Sequence, residues 1–238
     1  MTTIVIATRN PHKVQEIRAI LGDGFRFLTL NDFPAAPKVV EDAHTFAGNA
    51  TKKAVELAKW LATEHSSSRV QPARPNFVLA DDSGLEVDAL GGAPGVHSAR
   101  FAAEDAKTSG NTPDGDNNAK LLRLMKDAEN RAARFHCVIA LAPVMKSEPE
   151  NASSVCYADE LELETRTFDG TCEGRIISGP RGNNGFGYDP LFVPNGFEQT
   201  FAELGDDVKN RLSHRARALE KLKASLLANF QTPKGVGS

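Results

Sequence analysis

Apolar residues along this chain change their spacing in a definite order, and each change marks an element. Thr3–Thr8 carries the β-branched run Ile4-Val5-Ile6 and reads as a strand. Asn10 then offers an N-cap and Pro11 a first helical residue. Val14, Ile17, Ile20 and Leu21 recur at helical spacing, and Gly22 ends the run. The chain therefore opens as strand, tight turn and helix. Phe25–Leu30 is a second short strand. Thr45 can cap a long helix whose apolar positions Phe46, Ala50, Ala54, Leu57, Ala58 and Leu61 share one face, and which gives out into the polar linker His65-Ser66-Ser67-Ser68-Arg69.

Beyond the linker the pattern turns strand-like. Phe77–Ala80 is a short buried-type strand expected to stop at Asp81-Asp82-Ser83-Gly84, with Leu85–Leu90 resuming an extended run before Gly91-Gly92-Ala93-Pro94-Gly95. Residues 103–118 are rich in Asp, Asn, Gly and Thr. They read as an exposed loop, to which no role is given, before a helix around Ala119–Ala128. Phe135–Val144, Glu160–Phe168 and Gly174–Ser178 are predicted strands, with a Ser/Glu-rich excursion near Lys146–Ser154 and a loop at Gly179–Asn184. A last helix over Ser213–Asn229 turns Ala216, Leu219, Leu222 and Leu226 inward. Early strand–helix units followed by hairpin-like strands predict a mixed α/β fold with an antiparallel portion of sheet, and two lobes around a cleft fit that order.

Composition narrows the class. With 238 residues, 40% hydrophobic and 25% charged, the chain is an ordinary globular protein, and no run approaches the roughly 18 apolar residues of a membrane span. The N-terminus enters a strand directly, without a basic region or cleavage site, so a soluble, cytoplasmic protein is expected. Cys137, Cys156 and Cys172 are odd in number and widely spaced, as expected of buried free thiols rather than a disulfide framework or metal site. Twenty-eight basic against 31 acidic residues leave a net charge of −3 without a basic block, which argues against nucleic acid as partner. A polyanionic ligand needs a local basic pocket instead.

Four segments carry candidate chemistry for such a ligand. Thr8-Arg9-Asn10-Pro11-His12-Lys13 lies where a strand hands over to a helix N-terminus. Free N–H groups and the helix dipole favour an anion there, and phosphate is the natural guest. Thr8 and Asn10 offer side-chain hydrogen bonds, and Lys13 can reach outer phosphates. Asp81-Asp82 puts two carboxylates at a strand end where neighbouring side chains point opposite ways, so one Asp can face the pocket while the other orients or caps. Such a carboxylate can hold Mg²⁺ or take a proton from an attacking water, and Glu41 can supply a second oxygen ligand. Gly182-Asn183-Asn184-Gly185-Phe186-Gly187-Tyr188-Asp189-Pro190 suits close backbone approach to a flat ligand. Phe186 or Tyr188 can stack on a base, and Asp189 can bond a base or ribose. Lys209, Ser213, His214 and Arg215 gather at the last helix start, where an anion or base carbonyl finds donors. Each segment alone also has a plain structural explanation; together they match phosphates, metal and base.

These residues closely resemble those of the inosine triphosphate pyrophosphatase family, the Ham1-like non-canonical purine nucleoside triphosphatases. The resemblance rests on Thr8–Lys13 with Glu16; Glu41, Thr45-Phe46, Asn49-Ala50 and Lys53; Asp81–Leu85 through Pro94-Gly95 to Ser98–Phe101; Gly185–Pro190; and Lys209 with Ser213-His214-Arg215. It implies an elongated α/β fold with a mixed central sheet, residues 1–238 as one domain of two lobes around a nucleotide cleft, and a homodimer. It also implies Mg²⁺-dependent hydrolysis of ITP, dITP and XTP to monophosphate and pyrophosphate. Carried over by residue, Thr8, Arg9, Asn10, Pro11, His12 and Lys13 would hold the triphosphate, Glu41 and Asp82 would bind Mg²⁺, and Asp82 would be the general base. Lys53 would join the cations that neutralise the phosphates. Ser83, Phe186, Gly187, Tyr188, Asp189, Lys209, His214 and Arg215 would contact substrate. The chain departs from the family at Asp42-Ala43, where a Thr-Gly pair is usual, and at His97, where Tyr is common. It also has longer stretches near 66–75, 104–118 and 146–159. A pyrophosphatase for another modified or pyrimidine nucleotide, and a nucleotide-binding module without catalysis, remain alternatives.

Overall fold

Four residues, Thr3–Ile6, form strand β1, and all four are buried because the strand is covered on both faces. β1 runs parallel to β2 (Arg26–Thr29) on one side and to β3 (Phe77–Val87) on the other. β4 (Ala132–Pro143), β5 (Arg166–Ile176) and β6 (Phe192–Pro194) then add antiparallel, giving a six-stranded mixed sheet in the order β2-β1-β3-β4-β5-β6. The computed structural model describes residues 1–64, 75–106, 110–145, 161–162 and 164–231. Cys156, the 66–75 linker up to residue 74 and the 146–159 excursion lie outside them.

Alternation along the strands sends side chains to two different cores. Ile4, Ile6, Leu79, Ile139 and Leu141 pack against α1 (Pro11–Leu21) and the last helix, α5 (His214–Gln231), through Ile17, Leu21, Leu219 and Leu222. Val5, Val78, Ala80, Val138 and Ala140 pack against α2 (Phe46–Glu64) through Ala50, Ala54, Leu57 and Leu61. A third core lies further along the long strands, where Leu85, Val87, Phe135 and Phe192 meet Leu121 and Met125 at α3 (Asp114–Leu124). A further helix, α4 (Asp206–Leu212), precedes α5.

Helix ends follow the sequence closely. Asn10 caps α1 by accepting from the His12 and Lys13 amides, Pro11 is its first residue, and Gly22 ends it at φ 73°. Three expectations are corrected. β3 does not stop at Asp81-Asp82-Ser83-Gly84: all eleven residues pair with β4, from Phe77↔Pro143 to Val87↔Ala133. Gly84 is there for space rather than for a turn, since a Cβ would lie 2.4 Å from the Gly95 carbonyl oxygen and from Ser98 Oγ. The expected strands Glu160–Phe168 and Gly174–Ser178 are replaced by one, Arg166–Ile176, with Leu161 and Glu162 in a helical turn before it. Its Gly170 lets α5 sit on the sheet, because a Cβ would lie 2.2 Å from the His214 carbonyl oxygen. Residues 103–118 are not simply a loop: Ala103–Ala106 makes a helical turn and α3 starts at Asp114. Asn117 there is buried and accepts from the Ala102 amide (2.8 Å) and Thr112 Oγ1 (2.7 Å).

Cys137 and Cys172 are free and buried, as expected. Among the described residues no helix is long and apolar enough to cross a membrane.

Candidate active site

β1 ends at the start of α1, the position in a parallel sheet where ligands collect, and the middle of β3, Asp81–Ser83, runs beside it. The connecting turn is fixed locally: Thr8 Oγ1 accepts from the Asn10 amide at 3.2 Å, and Asn10 Oδ1 accepts from the His12 and Lys13 amides at 2.9 and 3.4 Å. Because the cap uses two of the free amides and Pro11 has none, positive charge at this helix start comes mainly from side chains. Thr8, Arg9, Asn10 and Lys13 line a cavity of about 350 Å³ together with Glu41, Lys53 and Asp82.

Asp81 and Asp82 leave β3 in opposite directions. Asp81 points to the α1–α5 side and is fully enclosed. It accepts from Lys13 Nζ, from Arg215 Nε (2.9 Å), from Ser83 Oγ (3.1 Å) and from the Cys137 thiol (3.1 Å). Burial alone would raise its pKa, but Arg215 and Lys13 hold the carboxyl well below the usual range. Asp82 points to the α2 side, accepts from Asn49 Nδ2 at 3.1 Å, and has Lys53 Nζ 3.4 Å from Oδ1. Here burial prevails over the attraction of Lys53 and Lys13, so its pKa is raised. Lys53 Nζ also lies 3.3 Å from Glu41 Oε1, so one ammonium stands between two carboxylates at the cavity wall. Arg100 reaches the Glu41 carbonyl at 3.4 Å and is oriented by His97, its Nε lying 3.2 Å from His97 Nδ1.

A second cavity of about 180 Å³ adjoins the first and is lined by Phe186, Tyr188, Lys209, His214 and Arg215 among others. Its floor is an ionic network. Lys209 Nζ pairs with Asp189 Oδ2 (2.7 Å) and Glu16 Oε1 (2.8 Å). Arg215 pairs with Asp81 and Glu16, and donates from Nη2 to Ser83 Oγ at 2.8 Å. Burial would discharge Lys209, but Asp189 and Glu16 raise its pKa and keep it an ammonium. His214 is the reverse: burial, then Arg215 and Lys209, push its pKa well down, so the ring is neutral. It stacks on Phe135 at 4.8 Å, and its buried Nδ1 has no hydrogen-bond partner among the described residues.

The aromatic loop is turned differently from what its sequence suggests. Tyr188 is buried and donates its hydroxyl to the Ser98 carbonyl (2.9 Å), so it serves as a wall. Asp189 Oδ2 accepts from the Phe186 amide (2.9 Å) as well as from Lys209, so this oxygen is spent inside the protein. Phe186 stacks on His12 (5.3 Å between rings), with Lys209 Nζ 4.5 Å from its centroid. Gly187 is gripped from across the cavity: its amide donates to Asp114 Oδ2 (2.6 Å) and its carbonyl accepts from Asn118 Nδ2 (3.0 Å).

Several of these groups were given no role in the site from sequence, although Glu16 and Asn49 stand among the residues that carry the family resemblance. Glu16 joins Lys209 to Arg215, and the signal for it was available: Lys13 and Glu16 interrupt the apolar stripe that Ile17 and Ile20 continue. Asp114 and Asn118 carried no comparable signal, because polar residues in helix first turns and loops are common.

Known proteins resemble this chain along most of its length. The Ham1 family model matches residues 4–225. The dITP/XTP pyrophosphatase of Syntrophobacter fumaroxidans is 46% identical over 220 residues, covering 92% of this chain and 79% of that protein. That of Geobacillus kaustophilus is 45% identical over 225 residues, covering 93% of each. Among solved structures, the Staphylococcus aureus Ham1 protein superposes with a TM-score of 0.72 at 34% identity, covering 96% of this chain and all of that one, 100%.

Proposed function

The chain belongs to the Ham1 family, and from that premise we infer that it is a nucleoside-triphosphate pyrophosphatase that hydrolyses ITP, dITP and XTP to the monophosphate and pyrophosphate. The observation that carries the reading is the pairing of two adjoining cavities. One is lined by Thr8, Arg9, Lys13 and Lys53 and suits a triphosphate; the other, over a neutral His214, suits a base. The α-phosphorus then lies in the first cavity, whose wall carries Asp82 and Glu41.

In this reading Asp82 takes the proton from the attacking water. Its carboxylate lines the cavity and is positioned to accept that proton. Asn49 and Lys53 hold the carboxylate in place. Lys13, Lys53 and Arg9 neutralise the phosphates, and pyrophosphate leaves because its end of the substrate is the one clamped. Mg²⁺ fits the donor set. Glu41 and Asp82 already converge on one cation, the Lys53 ammonium, and the described residues hold no cluster of three or more acidic, His or Cys ligands. Two carboxylates leave room for waters and phosphate oxygens, as this ion prefers. When bound, Mg²⁺ supplies charge neutralisation and polarises the phosphoryl group.

Selectivity against adenine follows from His214; guanine shares the 6-oxo group, so its rejection rests on crowding or a missing acceptor at its 2-amino group. The N–H of the neutral His214 ring at the cavity donates to the 6-oxo group of hypoxanthine or xanthine, whereas the amino group of adenine leaves that donor unpaired. Arg215 contributes less directly, since its Nε, Nη1 and Nη2 already donate to Asp81, Glu16 and Ser83. Residues 1–238 act as one two-lobed unit on a cytoplasmic nucleotide pool, as a homodimer whose mass light scattering would read.

The test is hydrolysis of ITP, dITP and XTP beside ATP and GTP with Mg²⁺, with products separated by chromatography. Inosine or xanthosine monophosphate with pyrophosphate, and slow turnover of ATP and GTP, is the expected result. Diphosphate with orthophosphate, or equal kcat/KM for ITP and ATP, would overturn it.

A further inference from the structure

A nucleotide runs base, sugar, phosphate, so if the two cavities hold its ends, the sugar crosses the neck between them. Asn10, Lys13, Ser83, Ala99 and Asn111 line both cavities and therefore form that neck. Three of their four polar side chains are already engaged. Lys13 is bound to Asp81, Ser83 lies between Arg215 and Asp81, and the oxygen of Asn10 caps α1. Asn111 differs: its side chain is exposed and makes no hydrogen bond to the described residues. Its backbone is nevertheless held, because the next residue, Thr112, donates its amide to the Ala99 carbonyl (3.0 Å) and its hydroxyl to buried Asn117 (2.7 Å).

We propose that Asn111 reads the sugar of the bound nucleotide, its carboxamide hydrogen-bonding a ribose hydroxyl at the neck. An amide carries both donors and acceptors, so it pairs with a hydroxyl whichever way the hydroxyl proton points. It stands on an anchored backbone, so the contact needs only one side chain to be ordered. The inference rests on the pyrophosphatase reading, and it assigns a substrate contact to the segment that sequence left without a role.

The test is a cycle of substrate and side chain. kcat/KM is measured for wild type and Asn111→Ala on ITP, on 2′-deoxy-ITP and on 2′,3′-dideoxy-ITP. One neutral hydrogen bond predicts a loss of roughly 2- to 10-fold for the variant on ITP. That loss should disappear on the substrate lacking the hydroxyl concerned: on the deoxy substrate if Asn111 reads the 2′ position, only on the dideoxy substrate if it reads the 3′ position. A loss of equal size on all three substrates, or no loss on ITP, would overturn the assignment. If wild type turns over none of the three, the pyrophosphatase reading fails instead, so the two failures are distinguishable. A thermal melt coinciding with wild type checks that the variant folds, as expected for an exposed side chain.

Discussion

Asp81 and Asp82 are neighbours on one strand with the same side chain, and the fold puts them to opposite uses. On the α1–α5 face, Asp81 is locked among Arg215, Lys13, Ser83 and Cys137, and its charge is matched by fixed cations. On the α2 face, Asp82 is also buried, but it is undercompensated and its pKa rises. A buried carboxylate surrounded by cations stabilises the fold and is a poor base. One left short of partners costs stability and is poised to take a proton.

Opposite effects of similar conservative changes would test that contrast. Asp82→Asn should lower kcat by about 10²- to 10⁴-fold while the melting temperature at neutral pH holds or rises, because the fold no longer carries an undercompensated charge. Steady-state kinetics beside calorimetry reads both, and near-normal kcat in a folded variant would remove Asp82 from its role. Asp81→Asn should act on stability first. It leaves Arg215 and Lys13 short of a counter-charge in the interior, at a cost of about 3–5 kcal/mol, or a fall of roughly 6–20 °C in Tm. An unchanged melt would mean that the network is not what holds the cavity floor.

Acid should separate the two carboxylates as well. The depressed pKa of Asp81 gives stability that is present above its ordinary value of 3.8 and is lost as pH falls below it towards the folded value. In the metal-free protein the raised pKa of Asp82 places its protonation above 3.8, where the proton competes with Mg²⁺ for the carboxylate. On lowering the pH, activity should therefore vanish reversibly while near-ultraviolet circular dichroism still reports a native fold. Coincident loss of both signals would contradict the assignment.

Smaller effects mark the edges of the comparison. Asp114→Ala frees the Gly187 amide and should raise KM for ITP by roughly 3- to 10-fold, with Asp114→Asn closer to wild type because its amide oxygen still accepts. Lys221→Ala, which breaks the exposed pair with Asp169, should change stability by less than about 1 kcal/mol and leave kinetics alone.

Much of this was legible in the sequence where local chemistry decides structure. α1 was readable from its cap, its Pro11 and its Gly22; α2 from its apolar face; α5 from Ala216, Leu219, Leu222 and Leu226. The opposed directions of Asp81 and Asp82 followed from strand alternation alone. What was not legible depended on distant partners. Asp81-Asp82-Ser83-Gly84 has the composition of a turn, yet pairing along the whole of β4 keeps it extended, and Gly84 answers to Ser98 and Gly95 rather than to its neighbours. The Asp- and Asn-rich start of α3 reads as loop because those residues also cap helices, and only the buried contacts of Asn117 distinguish the two. Phe186 and Asp189 line the base cavity, but their ties to His12 and Lys209 were not legible in the sequence.

The sequence separations within the ionic network also set an order of events. Glu16 and Arg215 are 199 residues apart, and Asp81 and Arg215 are 134 apart. At a synthesis rate of roughly 5–20 residues per second, a nascent chain carries these two acids for many seconds before their shared cation emerges. Lys13 is already at hand for Asp81, but Glu16 has no cation until Lys209 and Arg215 emerge, so closure of the base-binding half waits for the C-terminal helix to dock, a late, high-contact-order step. Substrate recognition is thus among the last properties this chain acquires as it is made.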